Sequence, residues 1–123
     1  MSAVKAKIPL RGEIWFTNLA ADPPEKGRRP VIIVSVDARN RHERVNTVLA
    51  VPLSTSIHKQ SPIHVLLTAG ETGLSSDSIA RADDITVVLK SDLVESRSRL
   101  RTLNDRRVCE LAAKVRIAMG CGV

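Results

Sequence analysis

Gly27-Arg28-Arg29-Pro30-Val31-Ile32-Ile33-Val34-Ser35-Val36 is the stretch whose reading decides the fold. A charged loop, Glu25 to Pro30, gives way at once to the run Val31 to Val36, apolar on both faces. Such a run is expected of a central strand with packed material on either side. Arginines at the mouth of a buried strand stand on a rigid support, which suits a group that must grip a phosphate. For an isolated pair, the competing reading is solvated loop charge.

Upstream, Gly12 opens Glu13-Ile14-Trp15-Phe16-Thr17-Asn18-Leu19, rich in strand formers. Between the two runs, Asp22-Pro23-Pro24 forbids regular structure, so residues 20–28 form a surface loop. It is long for a hairpin connection and therefore a candidate for function. Residues 1–9, with Lys5 and Lys7, read as a basic arm ahead of a single domain over 10–123.

Downstream, Thr47-Val48-Leu49-Ala50-Val51 reads as a second buried strand, stopped by Pro52, and 53–62 as a second polar loop. His64 to Thr68, Ser78 to Ala82 and Ile85 to Leu89 are further short strands, with a turn at Ala69 to Gly73. Asp83-Asp84 reads as a structural turn, because adjacent carboxylates in a strand point to opposite faces and cannot share a metal. Many short strands at close spacing argue for a small barrel or strongly bent sheet. The chain then changes period. Asn104 reads as a helix cap, with Asp105 at the positive terminus and Leu103 stapled to Val108. Val108, Leu111, Ala112, Val115 and Met119 recur at helical spacing as one apolar stripe, expected to be core, and Gly120 ends it. The fold class is mainly β with a C-terminal helix.

The composition narrows function. A formal net charge of +6 leans toward an acidic partner such as nucleic acid. Aromatic content is only 2%, from Trp15 and Phe16, which excludes modules that stack successive bases on several exposed rings. Contact with a nucleic acid must then rest on Arg, Lys and backbone polar groups. No apolar run reaches the roughly 18 residues of a membrane span, and the polar start lacks a secretory core. A cytoplasmic protein with no membrane partner is expected. Cys109 and Cys121 lack zinc-site spacing and read as free thiols, and no metal or cofactor is expected.

Five pieces stand in order: Arg11-Gly12-Glu13-Ile14-Trp15, Gly27-Arg28-Arg29-Pro30-Val31, Asn46-Thr47-Val48 running into Val51-Pro52-Leu53-Ser54, Pro62-Ile63-His64-Val65, and Gly73-Leu74 with Asp77-Ser78. No single piece is specific, but the ordered set resembles the MazF/PemK/Kid toxins of type II toxin–antitoxin systems, over roughly residues 10–119. The resemblance implies a small SH3-like barrel of the CcdB/PemK-like toxin fold, working as a homodimer. It implies a metal-independent, sequence-selective endoribonuclease that cuts single-stranded RNA by attack of the 2′-hydroxyl, leaving a 2′,3′-cyclic phosphate and a 5′-hydroxyl. It further implies a cognate antitoxin with an acidic, disordered segment, and operator DNA bound in complex with that antitoxin. The family's catalytic arginine falls on Arg29 and its catalytic threonine on Ser54, with Thr55 beside it. Serine keeps the hydroxyl but lacks the methyl that stiffens χ1; the alternative is that Thr55 supplies the hydroxyl after a one-residue shift.

Cleavage by an internal hydroxyl needs a proton removed from the 2′-oxygen, one delivered to the 5′-oxygen, and the phosphate's growing charge stabilised. Arg29 suits the third task, since its fork matches two phosphate oxygens, and its permanent charge makes it a poor proton shuttle. Ser54 can donate a hydrogen bond to a non-bridging oxygen. Arg28 is expected to bind phosphate, Glu25 and Lys26 to help close over the RNA, and Thr55 and His58 to touch substrate. His58, His64 and His42 are the remaining candidates for proton transfer. Two alternatives stay open: a CcdB-like, gyrase-binding toxin without nuclease activity, and a catalytically silent member binding antitoxin or operator DNA. The C-terminal tail lacks the tryptophan of the gyrase-binding type, which favours the nuclease.

Overall fold

The computed structural model describes residues 8–96 and 100–121, so of the arm expected over 1–9 only Ile8 and Pro9 lie within it. Six antiparallel strands form one bent sheet: β1 (Ile14–Thr17), β2 (Arg29–Ile33), β3 (Thr47–Ser54), β4 (Val65–Leu67), β5 (Ser78–Ala80) and β6 (Thr86–Leu89). Their order is β1-β2-β3-β5-β4, with β6 on β3. The strand β3 carries the architecture. Its first half pairs with β6 from Thr47 to Ala50 and its middle with β2 from Ala50 to Pro52. Its last two residues, Leu53 and Ser54, pair with β5.

Pro52 does not stop this strand, as the sequence led us to expect. It sits opposite Val31 at the point where β3 leaves β2 and passes to β5. A proline has no N–H to give a ladder, so the handover between partners is where its loss costs least. The Pro52 carbonyl is still used, accepting from the Arg81 N–H at 3.0 Å. β3 thus belongs to two half-sheets, one with β1, β2 and β6 and one with β4 and β5. Among the described residues no pairing joins their outer strands, so the sheet is strongly bent without closing into a complete barrel.

The period-2 pattern of β2 shows why the sheet bends around two cores. Ile32 joins Ile14, Val51, Leu53, Leu67 and the helix residues Val108 and Leu111 on one face. Val31 and Ile33 join Trp15, Val48, Ala50 and Val88 on the other. β2 begins two residues earlier than the apolar run, so Arg29 lies within the strand, paired with Thr17. At the other end, Val34 and Val36 leave the sheet, and the polar connection after them holds one turn of helix, α1 (Asp37–Asn40).

A second single turn, α2 (Ala69–Thr72), is closed by a full capping box: Thr68 and Glu71 exchange side-chain-to-backbone bonds, and Gly73 at φ 82° ends it. The final helix α3 (Asp105–Ala118) starts at Asn104, whose side chain accepts from the Arg107 N–H. Only part of its apolar stripe is core. Val108 and Leu111 are buried and Val115 packs against them, while Ala112 is exposed and Met119 is 72% exposed. Arg107 fastens the helix to the sheet, donating to the Leu66 carbonyl at 2.7 Å and standing 2.9 Å from Glu71.

Glu71 is held below its ordinary 4.5, first by the Thr68 N–H, with the Arg107 charge assisting and partial burial opposing. A depressed folded-state value means that this carboxylate stabilises the fold at pH above 4.5 and stops doing so as pH falls through its lower folded value. A Glu71→Gln variant is therefore expected to show a flatter acid limb than wild type in denaturant midpoints followed from neutral pH downward. Equal slopes below 4.5 would remove Glu71 from the acid response.

Candidate active site

The end of β3 places two functional groups from adjacent residues. The Leu53 carbonyl accepts from Nη2 of Arg29 at 3.0 Å, and the next residue is Ser54. Ser54 is half-buried, and its Oγ accepts from the Ser56 N–H at 3.2 Å. That bond fixes an oxygen lone pair and leaves the hydroxyl proton free to be donated. Arg29 is 18% exposed and bonded a second time: its Nη1 lies 3.2 and 3.3 Å from the two carboxylate oxygens of Asp22. A guanidinium has five N–H donors, so these bonds leave others free, and among the described residues no acceptor meets its Nε–H.

Arg29 and Ser54 open onto a cavity of about 450 Å³, with Lys26, Thr55 and Ser56 on the same wall. Phe16, Pro30 and Leu53 are apolar residues of its lining. The rest of its lining was not anticipated from the sequence: Leu74, Ser75 and Ser76, from the segment between α2 and β5, and Ser78, the first residue of β5. This volume lies in the range of small-molecule and nucleotide sites. Among the described residues, the charged groups on its lining are both cationic, Lys26 and Arg29, and the rest of the polar lining is hydroxyl.

The remaining sequence candidates lie elsewhere. Glu25 and Arg28 are exposed in the loop and are not part of the cavity wall. His58 is exposed on the single 3-10 turn Ile57–Lys59, also off the wall. His64 is buried and structural, with Nε2 2.9 Å from Asp83 and Nδ1 accepting from the Ser61 N–H at 3.3 Å. Asp83 and Asp84 do form the expected turn, and Asp84 is paired with Arg81 at 2.9 Å. His42 lies in the connection before β3, at the opposite end of that strand from Ser54. No histidine lines the cavity among the described residues.

A family model for PemK-like, MazF-like toxins of type II toxin–antitoxin systems matches residues 10–119. The chain belongs to this toxin family. Its relatives include the probable endoribonuclease MazF5 of Mycobacterium tuberculosis, 30% identical over 114 residues, covering 93% of this chain and 95% of that one. Endoribonuclease MazF9 of the same organism is 34% identical over 96 residues, covering 73% and 80%. Among solved structures, a mycobacterial endoribonuclease in complex with its cognate antitoxin superposes with a TM-score of 0.69 at 26% identity, over 94% of this chain and 98% of that one. In this PemK/MazF-like toxin the cavity is thus built where three quoted pieces of sequence converge: Gly27 to Val31, Val51 to Ser54, and Gly73-Leu74 with Asp77-Ser78. The last piece carried a family signal but no chemistry of its own, which is why its serines were missed. Asp22 was missed for a different reason: it sits in an aperiodic loop, and its partner is seven positions away.

Proposed function

We infer that this toxin is an endoribonuclease acting on single-stranded RNA in the cytoplasm. One observation supports the reading most: a pre-oriented arginine fork and a free hydroxyl donor, both fixed by the Leu53–Ser54 end of β3, face one open cavity. The endoribonuclease relatives, alike over most of both chains, supply the reaction class. A scissile phosphate seated there receives the unused Arg29 donors on one non-bridging oxygen and the Ser54 hydroxyl on the other. The 2′-oxygen forms a bond to phosphorus as the bond to the 5′-oxygen breaks. One proton leaves the 2′-hydroxyl, one reaches the 5′-oxygen, and a 2′,3′-cyclic phosphate results. The extra negative charge at the phosphorane is where a fixed cation in a partly dry cavity contributes most.

Ser54 and Thr55 both reach the cavity, but only the Ser54 hydroxyl is fixed by a backbone donor and backed by the strand. Ser54→Ala should lower kcat about 100-fold, the usual loss for one charge-stabilising donor. Ser54→Thr should stay within about threefold of wild type, because the hydroxyl survives. A larger loss from Thr55→Ala than from Ser54→Ala, read in single-turnover cleavage, would transfer the role to Thr55.

Arg28, Glu25 and His58 lie off the cavity wall and act in this reading only on RNA that extends beyond the scissile phosphate. A homodimer is supported by an uncovered apolar face. Leu49 pairs across the sheet with Val87, 58% exposed, and lines an apolar cavity with Val34, Ala112 and Val115 of the half-covered helix stripe. Val87→Glu is expected to shift the toxin from dimer to monomer in sedimentation; an unchanged dimer would place the interface elsewhere. An acidic antitoxin segment fits the cationic cavity, and operator DNA would be bound by the toxin–antitoxin complex.

The direct test is incubation of the purified toxin with a long single-stranded RNA in excess EDTA. Discrete fragments support the nuclease. Intact RNA overturns it, and gyrase inhibition is then the next assay.

A further inference from the structure

The carboxylate that grips Arg29 has no role in the reaction above, yet both of its oxygens are held by a cavity residue. Asp22 is 14% exposed on its side chain and contacts Nη1 of Arg29 through both oxygens. Its own N–H donates to the Leu19 carbonyl at 3.0 Å. Directly after it, Pro23 and Pro24 stiffen the chain into the 3-10 turn Pro24–Lys26. The loop then returns to β2 through Gly27, whose φ of 65° and ψ of −149° lie in a region open only to glycine. The loop that carries the cavity residue Lys26 is thus tied at its middle to Arg29.

Two roles fit an acid paired with a catalytic cation. It could occupy the place the phosphate needs, or it could hold the cation still from behind. The cavity lining decides between them. Arg29 and Leu53 are on the wall and Asp22 is not. The carboxylate therefore meets the guanidinium away from the substrate's space, and the Leu53 carbonyl holds a second nitrogen of the same plane. Two anchors on different nitrogens fix both the position of a planar fork and its rotation.

We propose that Asp22 is a positioning residue for the RNA cleavage reaction: with the Leu53 carbonyl it locks the Arg29 guanidinium so that its unused donors face the scissile phosphate. This role rests on the nuclease reading above. It acts through Arg29 and not on the RNA, so it must appear in kcat and vanish when the fork is absent. Removing one anchor lets the guanidinium rotate, and misplacement on the order of 1 Å costs about 100-fold in rate. The net positive charge near the cavity rises at the same time, so ground-state RNA binding does not weaken.

The test is a kinetic cycle on the full-length toxin with Asp22→Asn, Asp22→Glu, Arg29→Lys and the Asp22→Asn/Arg29→Lys pair. Asp22→Asn is isosteric, which protects the fold, but it loses the charge and one of the two acceptor oxygens that hold Nη1; thermal unfolding of each variant checks the fold. The expected result is a fall of about 10- to 100-fold in kcat for Asp22→Asn, with KM unchanged or lower. Asp22→Glu should recover part of the loss. In the Arg29→Lys background the same Asp22→Asn change should cost less than about threefold, since lysine has no planar fork to orient. An increase in kcat/KM with Asp22→Asn would show a blocking acid and overturn the proposal. So would an unchanged kcat, or an equal fold-loss in both backgrounds, which is the pattern of a loop-stabilising residue. Wild-type toxin that leaves the RNA intact overturns the nuclease reading and this role together, whereas cleavage by wild type and Asp22→Asn alike overturns this role alone.

Discussion

Arg29→Lys is expected to cleave RNA at least about 100-fold more slowly than wild type while remaining folded. The charge is kept, so a loss of this size would come from geometry. In the native site one nitrogen of the fork is held by Asp22 and another by the Leu53 carbonyl; in the proposed reaction the remaining donors meet the phosphate. A lysine ammonium has three donors on one atom. It cannot keep both anchors and still present fixed donors to a non-bridging phosphate oxygen. RNA binding at low salt should change little, because long-range attraction follows charge and not shape. The split between a large loss in kcat and a small change in KM is the informative result. If kcat and KM were both near wild type, the fork would have no special part in the chemistry.

The second large effect is on stability and comes from a residue outside the cavity. Gly12→Ala is expected to destabilise the fold by about 3 kcal/mol or more, lowering the melting temperature by roughly 10 °C. Gly12 has φ 88°, and a Cβ there would lie 2.4 Å from the Leu103 carbonyl oxygen. That oxygen belongs to backbone that cannot withdraw cheaply, because the Leu103 N–H donates to the Gly12 carbonyl at 2.9 Å and Leu103 is buried in the core. The Gly12 N–H in turn donates to the Ile33 carbonyl at 2.7 Å. One glycine thus joins the start of β1, the end of β2 and the entry to α3. Arg11 reinforces the junction, reaching Asp105 at the head of α3 and the Val34 carbonyl behind β2. A thermal melt within about 2 °C of wild type would mean the backbone here moves aside easily.

The sequence was most informative where a local pattern and the tertiary environment agree. Val31 to Ile33 are buried on both sides of the sheet, as a continuous apolar run requires. Asn104 caps α3, and Val108 and Leu111 form its buried stripe. The misreadings share a cause: the deciding partner is distant in sequence. Pro52 carries a strong local signal to stop a strand, yet the exchange of β2 for β5 at that residue removes the penalty. Met119 continues a helical period that says core, but it follows the last residue of α3 and stands exposed. Many short strands left a small barrel and a strongly bent sheet both open, since strand count alone does not say whether the outer two meet; the structure is the bent sheet.

The candidate site divides the same way. Arg29, Ser54, Thr55 and Lys26 could be named in advance, and they do line one cavity. Arg29 and Ser54 belong to motifs at strand ends, where the sheet fixes direction, whereas Thr55 and Lys26 were named from the adjoining loops. Glu25, Arg28 and His58 are as near in sequence, yet alternation along an extended chain or a turn carries them away from the cavity. Asp22 had no pattern at all. Only its contact with Arg29 distinguishes it from any other loop acid.

The central claim is that Arg29 stabilises the charge of an internal 2′-hydroxyl attack, and the termini of the cleaved RNA test it most directly. A defined single-stranded RNA would be incubated in excess EDTA with wild-type toxin and with Arg29→Ala, and the fragment ends identified by mass. The account predicts 2′,3′-cyclic phosphate and 5′-hydroxyl ends from wild type and intact RNA from the variant. Fragments with 5′-phosphate ends, or equal cleavage by both proteins, would contradict it.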